Sequence, residues 1–67
     1  MAVTDSKYSG MTTNERLFEA GLLDTFDQAA RRRDRAAMIA ALDQVELEDQ
    51  SAHVADTILA NPKFYGF

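Results

Sequence analysis

Apolar and polar residues recur along this chain with the period of a helix, and nowhere with that of a strand. In "TTNERLFEAGLLDTFDQAARR", at 100° per residue, Phe18, Leu22, Leu23, Phe26, Ala29 and Ala30 share one arc of about 140°. A stripe that wide predicts a helix over about 13–32, buried along one side. Leu17 lies outside the arc, roughly opposite Leu23, which assigns it to the tail or to a partner. Thr12 with Glu15 three residues on has the form of a capping box, and Glu15 and Glu19 sit where the helix dipole favours acids. Gly21 costs about 1 kcal/mol relative to Ala inside a helix; close approach of a second backbone is its expected purpose.

In "DRAAMIAALDQV", Asp34 is a good N-cap and Met38, Ala41, Leu42 and Val45 form one apolar side, with Ile39 on the flank. This predicts a second helix over about 35–45, followed by a short break at "VELED" from which Leu47 folds back onto the core. A third helix over about 49–60 turns Ser51, Val54, Ala55, Ile58 and Leu59 inward. Pro62 cannot continue it, and 61–67 form an aromatic strap. Residues 1–11 are polar, aperiodic and broken by Gly10, and read as a flexible N-terminal tail. The expected architecture is a single all-α domain over 12–67. It packs as a small three-helix bundle, or as a helical hairpin with a third helix across it.

Length sharpens this picture. A chain of 67 residues without cysteine has no disulfide or thiolate metal site to help a small core. Its usual remedies are compact helical packing, self-association or a partner that supplies missing core. The absence of cysteine fits a reducing compartment. No apolar run approaches a membrane span and no apolar signal core opens the chain, so the expected location is the cytoplasm, with no membrane association.

Charge adds one local feature. The net charge is −4, from 11 acids and 7 bases, which argues against nucleic acid as a partner. Within "AARRRDRAAM", however, four arginines face one aspartate. That local +3 leaves about −7 on the rest of the chain. One reading is a corner that recognises phosphate or carboxylate. The other is helix punctuation: Arg31, Arg32 and Arg33 complement the negative end of one helix and Asp34 starts the next.

Other candidate chemistry is thin. Asp49, His53 and Asp56 share a helix face at spacings of a metal site, but the chain has a single histidine and a solvated polar face accounts for them. Ser51 and His53 point to nearly opposite sides of a helix, and no phosphate loop or zinc-protease motif occurs. A bundle this small is expected to leave little room for a pocket. The third helix presents Asp49 and Asp56, which phosphates repel, so a helix-turn-helix reader of DNA is disfavoured. Phe64, Tyr65 and Phe67 around Gly66 either anchor a partner or strap the chain's own core.

The phrases "NERLFEAGLLDTFDQAARRRDRAAMIAAL" and "ADTILANPKFYGF" resemble those of short all-helical bacterial proteins with no assigned function. The resemblance covers residues 11–67, implies a bacterial cytosolic origin, and carries over no site residue. Together these features predict a non-catalytic interaction module, an accessory or regulatory protein that docks on a larger protein or on itself. Leu17, Phe64, Tyr65 and Phe67 are its expected apolar anchors, and Arg32, Arg33 and Arg35 steer it towards an acidic surface. No cofactor, metal or small-molecule substrate is expected. The alternative is a nucleic-acid-associated regulator using the Arg31–Arg35 corner.

Overall fold

The computed structural model describes Tyr8 and residues 10–67. The tail expected at the N-terminus therefore lies, for residues 1–7 and 9, outside the described residues. Four α-helices follow one another: α1 (Thr13–Glu19), α2 (Leu23–Arg31), α3 (Arg35–Gln44) and α4 (Ser51–Ala60), and a 3₁₀ turn (Pro62–Tyr65) follows α4. No strand occurs among the described residues, and the all-α expectation holds. Each of α2, α3 and α4 packs against the other two, as in a three-helix bundle, and α1 adds to it through α2 and α3.

The expected first helix over 13–32 is two helices, and the break is backbone chemistry at Gly21. The Gly21 N–H donates to the Phe18 carbonyl at 3.1 Å and the Leu22 N–H to the Leu17 carbonyl at 2.8 Å. This pair of bonds closes a helix when the residue after the cap turns left-handed, and Gly21 has φ +74. A side chain built there would meet nothing within 4 Å, so the glycine serves the backbone angle and not close approach of a second backbone.

The turn overturns the predicted burial around it. Because α1 and α2 have separate axes, the angular phase of α2 does not carry back into α1. Leu17, expected outside the core, is fully buried, whereas Phe18, expected inside, is 73% exposed. Leu17 is thus a core residue and no partner anchor.

The same two-bond turn ends α2 and α3, with Arg33 (φ 60) and Glu46 (φ 65) in the left-handed position. There the second bond runs from the Asp34 N–H to the Ala29 carbonyl (2.8 Å) and from the Leu47 N–H to the Leu42 carbonyl (3.2 Å). An arginine guanidinium supports each. Arg33 Nη1 donates to the carbonyls of Ala30 (2.9 Å) and Arg31 (3.1 Å). Arg16, reaching across from α1, donates through Nη1 to the Val45 carbonyl at 3.0 Å. A cation at these carbonyls complements the negative helix end.

The other predicted starts are present. At α1, Glu15 N–H donates to Thr12 Oγ1 (3.2 Å) and Thr12 N–H to Glu15 Oε1 (2.9 Å), both halves of the capping box. At α3, Asp34 Oδ1 accepts from the Ala37 N–H at 3.1 Å. The third predicted helix begins at Ser51, two residues late, because Leu47 turns into the core and the Gln50 N–H bonds back to its carbonyl (2.9 Å).

The core gathers Leu17, Phe26, Met38, Leu42, Val45, Leu47 and Ile58 with the small residues Ala29, Ala30, Ala41 and Ala55, which let the helices approach closely. Tyr8 belongs to it too, and Met11 packs against it. These two residues of the expected tail are held by the Met11 N–H on the Tyr8 carbonyl (3.0 Å), while the Arg16 guanidinium lies 6.0 Å from the Tyr8 ring centre.

Two stability tests follow from this arrangement. Leu17→Ala leaves a void in the core and costs about 3–5 kcal/mol, most of the stability of a domain this small, whereas Phe18→Ala changes the stability of the monomer by less than about 0.5 kcal/mol; urea unfolding at high dilution compares them. By the same measurement Gly21→Ala destabilises by about 1 kcal/mol through its left-handed backbone, and Glu46→Gly stabilises by up to about 1 kcal/mol by relieving one.

Candidate functional site

The arginine corner forms at the junction of α2 and α3, as the punctuation reading expects: Arg31 ends α2, Arg32 caps it, and Asp34 opens α3. Three of the four guanidinium groups are hydrogen-bonded or ion-paired within the chain. Arg32 forms a loose, exposed pair with Asp34 (3.7 Å), and Arg33 holds the end of α2. Arg35 grips Asp56 of α4 with two parallel bonds, Nε to Oδ1 at 2.6 Å and Nη2 to Oδ2 at 3.3 Å. Arg31 lies over the Phe67 ring at 6.0 Å. Four cations against the two carboxylates they pair with leave a corner of about +2, weaker than its sequence suggests.

That grip also dissolves the Asp49–His53–Asp56 constellation. Asp49 lies in the turn before α4, Asp56 is held by Arg35, and no cluster of three metal-ligating side chains exists among the described residues. The bond from Arg35 lowers the Asp56 carboxyl from its ordinary value, and the nearby charge of Arg35 adds to this. The same bond raises Arg35.

The aromatic strap divides its three rings. Phe67 is half-buried and packs against the core, closing the end of the bundle. The Phe67 N–H donates to the Pro62 carbonyl at 2.9 Å and the Gly66 N–H to that of Lys63 at 3.2 Å, with Gly66 left-handed at φ +90. This turn holds Phe64 and Tyr65 outward, stacked edge to face at 5.0 Å, with 75% and 42% of their surfaces exposed.

Between the strap and the helices runs an open groove of about 760 Å³. Leu23, Phe26, Val54, Ile58 and Phe67 supply its apolar surface, and Thr13, Asp27, Arg31, His53, Thr57 and Tyr65 its polar edges. Its volume falls within the 300–1,000 Å³ typical of binding sites, larger than the little room expected of so small a bundle. At Asn14 and Leu23 it runs into a more open hollow bearing Met11, Glu15, Phe18 and Glu19. Of the expected anchors, the structure brings Tyr65 and Phe67 to this surface beside Arg31 and sends Leu17 to the interior. Phe18 and the α2–α4 walls are invisible to a reading that runs one helix through Gly21. Read as a helix stop, "EAGLL" is the signal that reveals them.

The surface combines an apolar floor, charged edges and protruding rings. Among the described residues no helix is long and apolar enough to cross a membrane. Comparison with protein-family models, with curated proteins and with solved structures finds no match for this chain.

The Arg35–Asp56 pair makes a pH-dependent contribution. A carboxyl held low in the folded state stabilises above its unfolded value, near pH 4, and that stability is lost as pH falls through the lowered folded value. Wild type is therefore expected to melt above Asp56→Asn at neutral pH and low salt, with the gap closing in acid and narrowing in high salt. Thermal melts at the two pH values read this directly.

Proposed function

We propose that this protein is a non-catalytic interaction module, an accessory or regulatory protein that acts by docking its α2–α4 groove and the adjoining exposed rings on a protein surface. The observation that carries the reading is an apolar groove with Tyr65 exposed at its edge and Phe18 in the adjoining hollow, and Phe64 exposed beside Tyr65, in a domain that buries most of its other large apolar side chains. A small core gains from burying such rings, and contiguous exposed apolar surface marks interaction sites. The anchors in this reading are Phe18, Phe64, Tyr65 and the accessible part of Phe67. Arg32, Arg33 and Arg35 act at most as long-range steering, since each already has a partner within the chain. It needs no cofactor and no small-molecule substrate, and a cytoplasmic setting suits a chain without cysteine. No observation favours the nucleic-acid alternative: Arg32, Arg33 and Arg35 have partners within the chain and the chain is acidic.

A photo-crosslinking amino acid at Phe18 or at Phe64, in the native cell, is expected to give light-dependent protein adducts absent from the exposed control position Ala36. Adducts no stronger than at Ala36 overturn the reading.

A further inference from the structure

The groove is not uniform along its length, and its asymmetry points to what covers it. Around Leu23, where groove and hollow meet, the edges carry the carboxylates of Glu15 and Glu19. At the far end, about 12 Å further along α2, stands Arg31, with His53 opposite on α4. The surface thus carries Glu19 at one end and Arg31 at the other along an apolar floor, with Phe18 protruding at the Glu19 end.

A surface of that kind is complementary to itself. Related by a two-fold axis, two copies meet antiparallel, so that the Glu19 end of each faces the Arg31 end of the other. Phe18 of each, protruding at the Glu19 end, is then brought to the partner's groove. Asp27 lies between the ends, one helical turn from Arg31 of its own chain, so a compensating charge is close by in each copy.

Resting on the interaction-module reading, we infer that the partner of this groove is a second copy of the chain, docked antiparallel as an isologous dimer through Phe18 and the Glu19-to-Arg31 charge axis. Burying both Phe18 rings removes the largest exposed apolar group of α1 from water, and the end charges set the orientation. The charge contribution is screened by salt while the apolar one persists.

Sedimentation equilibrium of the full chain tests this. Wild type is expected to show a monomer–dimer equilibrium, and Phe18→Glu, at a position too exposed to disturb the fold, to weaken it at least about tenfold. Glu19→Lys alone is expected to weaken the dimer, and adding Arg31→Glu to restore it, circular dichroism confirming the helices in each. A dimer indifferent to Phe18→Glu, or a charge exchange without recovery, overturns the antiparallel arrangement. A wild type monomeric at every concentration overturns the second copy as partner. In that case, protein adducts from the Phe18 crosslinker leave the docking function standing with a different protein, and their absence removes both.

Discussion

The arrangement of this protein depends on one backbone angle, the left-handed turn at Gly21. Without it, residues 13–32 form a single rod with its apolar stripe on one side. With it, α1 leaves the axis of α2, Leu17 enters the core and Phe18 is turned out. The groove exists because of the same turn, since its walls include both the start of α1 and the face of α2. A glycine at this position adopts the angle without the penalty other residues carry.

The same closing geometry recurs at the ends of α2 and α3 with Arg33 and Glu46, which tolerate the angle less readily. At both sites a guanidinium binds the terminal carbonyls, one from Arg33 itself and one from Arg16 in another helix. Arg16 also lies over the Tyr8 ring and donates to the Met11 carbonyl at 3.4 Å, tying the start of the chain, α1 and the end of α3 together. Arginine in this molecule serves largely as a joint between elements.

The exposed rings are the main departure from economy in a domain this size. Buried alanines bring the helices close, but they contribute little area, so the core rests on a few large side chains. Leaving Phe18 and Phe64 in water forgoes burial that a chain of 67 residues can use. Burial of those rings against another surface is the gain that the proposed docking function draws on.

The sequence by itself determined the helical class, the capping box of Thr12 and Glu15, the Asp34 start, the apolar sides of α3 and α4, the return of Leu47 and the role of the arginine run as punctuation. Each is set by neighbours within about one or two helical turns, where side-chain period and capping chemistry act directly. Only the tertiary structure decided which side of α1 faces inward, that Arg35 grips Asp56, that Arg16 closes α3, and that Phe67 packs while Phe64 does not. Those outcomes depend on the angle between successive helices. Residues 21 or 29 positions apart meet only once the turns have set the helix directions, and helical periodicity carries no information across a turn.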